Sequence, residues 1–166
     1  LSKRIASLLA VFSSAFMLAY HPLYFEIANT TSAENAKKKL FKYNNTFIIF
    51  LILFWFFLIF FSKEIIQIFL NEKYYDTYLY IPFIAFAFLV GSVSSTIIGA
   101  SLQQSKKMKQ DMYFSFVGAG VSLLSYYFLI KPYGLYGAVV GIIISSSAIF
   151  LLNYYYSKAR CFYIPF

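Results

Sequence analysis

The chain has 166 residues, of which 61% are hydrophobic, 23% aromatic and only 12% charged, with a formal net charge of +8. Soluble domains run at roughly 45–50% apolar and about 25% charged, and one small globule cannot hide this excess of apolar surface. Composition therefore points to an all-α, polytopic membrane bundle. The lysines and arginines stand in short clusters between apolar runs, which argues against a nucleic-acid module and for positive-inside loops beside anionic headgroups.

Cys161 is the sole cysteine, so no intrachain disulfide forms, and a single histidine makes a His/Cys metal cluster untenable. No catalytic residue, metal or cofactor is called for. The chain opens on Leu1 and ends on Ile-Pro-Phe, which predicts a fragment of a longer protein. Lys3 and Arg4 precede an apolar run as in a signal peptide, but four further apolar segments favour a true span.

The first predicted span covers residues 5–28, long enough to cross a hydrocarbon core of about 30 Å. It holds His21, Pro22 and Glu26, and the proline predicts a kink. Either this kinked helix lines a polar cavity, or both polar residues simply meet headgroups. Residues 31–43 (TSAENAKKKLFKY) predict a short amphipathic helix lying on the membrane, with Ala36, Leu40, Phe41 and Tyr43 towards lipid. Asn44, Asn45 and Thr46 are candidate caps for the second span, residues 46–70, whose stretch FIIFLILFWFFLIFF is apolar on every side.

After the loop NEKYYD, the third span is predicted at residues 77–104, with Pro82 in its first turns. Its Gly91, Ser95 and Gly99 recur every four residues, a small-residue stripe that predicts close helix packing. A basic loop with Lys106, Lys107 and Lys109 leads to the fourth span, residues 111–130, with Asp111 as its predicted N-cap. Gly118 and Gly120 sit inside this apolar span and lack the third glycine of a dinucleotide fingerprint, so nucleotide binding is rejected. Lys131-Pro132-Tyr133-Gly134 predicts a tight turn, and the fifth span, residues 135–156, carries a second stripe at Gly137, Gly141 and Ser145.

Five crossings put Lys37, Lys38, Lys39, Lys42, Lys106, Lys107, Lys109, Lys158 and Arg160 on one side. Lys3, Arg4, Lys63, Lys73 and Lys131 fall on the other. The richer side is predicted cytoplasmic, with the start of the chain outside and its end inside. The triplets Asn29-Thr30-Thr31 and Asn44-Asn45-Thr46 then lie inside and are expected to stay unglycosylated.

Several segments, in order, resemble a family. They are KRIASLLAVFSSAFMLAYHPLYFE, ENAKKKLFKY, KEIIQIFLNEKYYDTYLYIPFIA, the SKKMK loop and LIKPYGLYGAVVGIIIS. Together they resemble the oligosaccharide (O-antigen type) flippases, a polysaccharide-biosynthesis branch of the multidrug/oligosaccharidyl-lipid/polysaccharide flippase superfamily. The resemblance implies a transporter of about 12 to 14 spans in two lobes, with this chain as roughly its eighth to twelfth spans, most of the second lobe. It implies alternating access, without covalent chemistry, that moves a polyprenyl-diphosphate-linked oligosaccharide for lipopolysaccharide or other surface polysaccharide across the inner (plasma) membrane. Implied partners are that lipid-linked oligosaccharide, membrane lipids, a coupling cation and glycan assembly proteins.

Lys3 matches a basic position of the family, Pro22 its helix proline, and Gly134 and Gly137 its glycines. Arg4 has no counterpart, His21 stands where an aromatic or apolar residue is usual, and Lys131 replaces an apolar residue. Lys3, Arg4, His21, Pro22 and Glu26 are the expected substrate-cavity residues. Competing expectations are a multidrug exporter of the same superfamily, or an integral-membrane glycan polymerase or acyltransferase. The enzymes would need a polar catalytic cluster in a sizeable outer loop, and the outer loops hold only Glu64, Glu72 and Asp76 as acidic residues.

Overall fold

A computed structural model describes residues 7–69 and 78–161, and their regular structure is entirely helical. Four helical stretches among these residues are long and apolar enough to cross a membrane, which makes the chain a helical membrane protein. Lys3, Arg4, the 71–76 loop with Lys73, and the closing residues 162–166 lie outside the described residues.

Helix α1 (Leu8–Thr30) contains Pro22 within its run. It ends where Thr31 turns extended and gives its N–H to the Ile27 carbonyl at 3.2 Å. Two residues later α2 (Ala33–Phe69) begins, and it continues without interruption for 37 residues. At 1.5 Å per residue that is about 55 Å, well beyond the thickness of a bilayer core. The separate surface helix expected at residues 31–43 is therefore the first three turns of α2.

The reason for this continuity lies in the residues read as caps. Asn44 is buried and accepts a hydrogen bond from the Tyr20 hydroxyl, and Thr46 turns its hydroxyl back to the Lys42 carbonyl at 3.0 Å. Alanine, lysine and leucine before them and leucine after them are good helix formers, and neither Gly nor Pro interrupts the run. Ala36 and Leu40 are fully buried beside Tyr20, Tyr24 and Ile27 of α1, so they face protein; Phe41 and Tyr43 are exposed. The apolar side of this segment thus closes an antiparallel helical pair. Ring contacts extend the seam further along, with Phe16 stacked on Phe47 at 4.0 Å and Phe12 tilted against Phe54 at 4.7 Å.

A short turn at residues 78–80 leads into α3 (Ile81–Val93), a π-helical turn (Ser94–Ile98) and α4 (Gly99–Gln104). Backbone angles remain helical across both joints, so the three pieces form one rod with a widened turn in the middle. This rod is the centre of the molecule. In its most apolar window 56% of residues are buried, against 17–22% in the other three. Trp55 of α2 donates its indole N–H to the Pro82 carbonyl at 2.9 Å, and a core of Leu51, Leu58, Ile84, Ala85, Ile97 and Val139 joins α2, the rod and the last helix.

Ser105, Lys106 and Lys107 make a tight turn, with Lys106 at φ 55°. Then α5 (Met108–Arg160) runs for 53 residues with a single non-helical residue, Gly134, at φ 55° and ψ −126°. A straight helix of that length would reach about 80 Å. Instead the chain folds back at Gly134 into two arms, 108–133 and 135–160. These angles are those of the first central position in a type II′ turn, which favours glycine. Pro132 lies inside the first arm, so the reversal falls two residues after it, at Gly134. The helix begins at Met108, which places Asp111 within the first turn, in place of the N-cap position expected for it.

The second arm runs parallel to the central rod. Tyr136 meets Tyr80 near one end, and Ser157 meets Ser101 near the other. The end near Ser101 and Ser157 also joins Asn29 to Gln104 and Lys107 to the Arg160 carbonyl. It carries the basic clusters, while Lys63 and Lys131 belong to the opposite end.

Candidate functional site

Helix α1, the central rod and the second arm of α5 do not close fully on one another. Between them lie two cavities of about 270 Å³ each that share Met17, Gly91, Ser95 and Ser146 and so form one continuous cleft. Ligand sites commonly span roughly 300–1,000 Å³, which puts each half just below that range and the joined cleft within it.

Hydroxyls are set into a mostly apolar lining. Ser13 and Ser14 reach it from α1, and Ser92, Ser95 and Thr96 from the rod. Towards the basic end the lining becomes more polar, with Ser94, Gln103, Asp111, Ser115 and Asn153. The π-helical turn supplies Ser94, Ser95 and Thr96, because one widened turn swings neighbouring small polar residues to the same side. Such turns recur at functional positions in helices. Three buried polar atoms that line the cleft, Ser13 Oγ, Thr96 Oγ1 and Asn153 Oδ1, have no protein partner among the described residues. Polar groups at such depth in an apolar bundle are costly unless something satisfies them, and they mark ligand or ion paths by default.

Asn153 is only 2% exposed and sits at a junction. Its amide donates to Ser94 Oγ at 3.3 Å and to Asp111 Oδ1 at 3.2 Å. One bond ties the second arm to the π-helical turn and the other ties the two arms together. Below it, Ser101 and Ser157 share a 3.1 Å hydrogen bond between rod and arm.

Of the residues expected to form the cavity, the three that the structure describes do not line this cleft. His21 lies beside the main chain of Thr96 and the side chain of Gln103, with the Tyr20 and Phe25 rings edge-on to it. It braces α1 against the rod and does not line the cleft. Pro22 and Glu26 are exposed and also stand apart from it. Lys3 and Arg4 are outside the described residues.

The two small-residue stripes separate as well. A Cβ on Gly137 would overlap the Leu129 carbonyl, and one on Gly141 would come within 2.8 Å of the Tyr126 ring, so these glycines sit where the two arms touch. Ser145 is buried and bonds back to the Ile142 carbonyl. Gly118, read only as a non-nucleotide glycine, belongs to the same seam, since its Cβ would overlap the Ile149 side chain. A Cβ on Gly91, by contrast, meets nothing within 4 Å, and one on Gly99 only the Ser94 carbonyl at 3.8 Å. Gly91, Ser95 and Gly99 line the cleft and pack no helix closely, because the rod turns that side to the gap between α1 and α5.

Sequence reasoning missed Asn44, Asn153 and the row of serines. The available signal was single polar residues recurring at helical spacing inside apolar runs, as in Ser92, Ser95, Thr96 and Gly99. Among the described residues, no group of three or more His, Cys, Asp or Glu side chains could hold a metal ion. No protein-family model, curated protein or solved structure matches the chain.

Proposed function

We propose that this chain forms one wall of a translocation pathway in a membrane flippase that moves a polyprenyl-diphosphate-linked oligosaccharide between leaflets by alternating access. The observation that carries this reading is the hydroxyl-lined cleft between α1, the central rod and α5, which runs lengthwise through an otherwise apolar bundle. Serine and threonine hydroxyls both donate and accept hydrogen bonds, as sugar hydroxyls do, and they add no fixed charge that would trap a moving substrate. Basic side chains at one end suit a diphosphate waiting at the membrane surface. The resemblance in the segments around Pro22, the SKKMK loop and Gly134 supports the same reading.

On this proposal each arm of α5 crosses the membrane, giving five crossings, and the basic end faces the cytoplasm at the inner (plasma) membrane. The test is a vesicle assay on the protein together with any further chain it works with. Fluorescent lipid-linked oligosaccharide placed in one leaflet should appear in the other, and filling the cleft with Ser95→Trp should block its passage. Transport of cationic drugs with no movement of the lipid-linked sugar would instead favour a multidrug exporter.

A further inference from the structure

We propose that Lys38, Lys39 and Lys42, on the face of α2 turned away from the bundle, form a docking site for the phosphate of an anionic phospholipid. Ala36 and Leu40 fix the direction of this face, because they are fully buried with Tyr20, Tyr24 and Ile27 of α1 and Ala100 of the rod. At 3.6 residues per turn, Lys38 and Lys42 point roughly 160° away from Leu40, and Lys39 flanks them. All three lysines are exposed. Residues three and four apart on a helix are neighbours, about 5–6 Å between Cβ atoms, so three ammonium groups can close on one phosphate. Glu34, the one acid in the segment AENAKKKLFKY, pairs with Lys38 at 3.2 Å. Lys39 and Lys42 have no acidic partner among the described residues.

The length of α2 sets the depth of these lysines. Lys63 and Glu64 are exposed near its other end, and charges avoid the hydrocarbon core. Counting back about 30 Å from Lys63, at 1.5 Å per residue, reaches Tyr43, which marks the opposite edge of that core. Phe41 and Tyr43 are exposed there and place their rings at the boundary, as interfacial aromatic residues do. The headgroup layer beyond is about 5–8 Å deep. Lys42, Lys39 and Lys38 rise through it, at about 1.5, 6 and 7.5 Å above Tyr43 along the helix. Because α2 runs on unbroken, its lysines stand in a column through the phosphate layer, where a helix lying flat would spread them over its surface.

Position selects a phospholipid as the occupant. The lysine face is turned away from α1, and so from the cleft between α1, the rod and α5, whose own basic groups are Lys107, Lys109, Lys158 and Arg160. A molecule entering the cleft does not pass these three lysines. What meets an outward face at this depth is the surrounding lipid, and its acidic group there is the phosphate. The long lysine stems also cover apolar surface while their amines reach that layer. A bound lipid would hold the α1–α2 pair upright at the membrane surface, whatever the cleft carries.

The experiment is fluorescence quenching in phosphatidylcholine vesicles that carry the full chain with Phe41→Trp and Trp55→Phe. Brominated phosphatidylglycerol or brominated phosphatidylcholine is added in increasing proportion, and the indole at position 41 reports which lipid sits beside the lysines. Brominated phosphatidylglycerol should quench at a several-fold lower proportion than brominated phosphatidylcholine, and added salt should narrow the difference. Each lysine changed to glutamine should lower the preference by about fivefold until none is left. Arginine at all three positions should keep it, and Lys158→Gln with Arg160→Gln should leave it unchanged. If Trp55→Phe does not yield folded protein, the difference between Phe41→Trp and the native chain gives the same reading. Equal quenching by the two lipids, or an undiminished preference with all three lysines changed to glutamine, would overturn the site. So would displacement of phosphatidylglycerol by polyprenyl diphosphate far beyond what equal charge as unlabelled phosphatidylglycerol achieves, since that would assign the lysines to the transported lipid. Quenching is read without transport, so this proposal and lipid flipping can fail independently.

Discussion

Gly91, Ser95 and Gly99 on the central rod and Gly137, Gly141 and Ser145 on α5 have the same spacing and nearly the same composition, yet they do opposite things. The second set lies in a seam so close that a Cβ at Gly137 would strike main-chain atoms of the facing arm. The first faces open space. Small residues at four-residue intervals permit close approach, but the chain's connectivity decides whether an approach happens. A glycine turn at Gly134 forces the arms of α5 together, whereas α1 and α5 reach the rod from different sides and leave a gap.

This contrast predicts a graded series of stabilities, measured by thermal unfolding of the purified protein in detergent. Gly137→Ala should be the most damaging, by about 2–4 kcal/mol, because the obstacle is the Leu129 carbonyl and main chain cannot step aside as a side chain can. Gly118→Ala should cost less, about 1–3 kcal/mol, since it collides only with the Ile149 side chain. Pairing it with Ile149→Ala should recover part of that loss, as coupled neighbours do. An additive double mutant would show that the two arms do not meet there. Gly91→Ala should be neutral or stabilising by up to about 1 kcal/mol, because it gains helix propensity and meets no neighbour. If Gly91→Ala were as harmful as Gly137→Ala, the two stripes would be equivalent and the cleft closed.

Much of this fold is legible in sequence because apolar runs of span length have few alternatives. The third and fifth segments, the basic loop and the reversal near Gly134 follow from hydropathy, lysine clusters and a glycine after proline. The continuity of α2 is not legible in that way. Asn44-Asn45-Thr46 reads as a cap, and only the Tyr20 hydroxyl and the burial of Ala36 and Leu40 against α1 turn the same residues into helix interior. The π-helical turn is hidden for a similar reason, since a single widened turn leaves the apolar pattern of SSTII intact. Charge and histidine attract attention in a membrane segment, and the sequence reading set the cavity on them. His21 packs between α1 and the rod with its Nε2 unpartnered among the described residues, while serines, Asn153 and Asp111 from distant parts of the chain line the cleft.

Cysteine labelling in membranes tests the central claim, a hydrated cleft beside a sealed seam, most directly. With Cys161 replaced by alanine, single cysteines would be placed at Ser95 in the cleft, Ser145 in the seam and Leu123 on the outer face, where the side chain is 71% exposed. A charged, water-borne thiol reagent attacks the thiolate, which forms where water reaches. Ser95→Cys should react readily, while Ser145→Cys and the lipid-facing Leu123→Cys stay unlabelled. Equal protection of all three positions, or labelling at Ser145 as fast as at Ser95, would contradict the cleft.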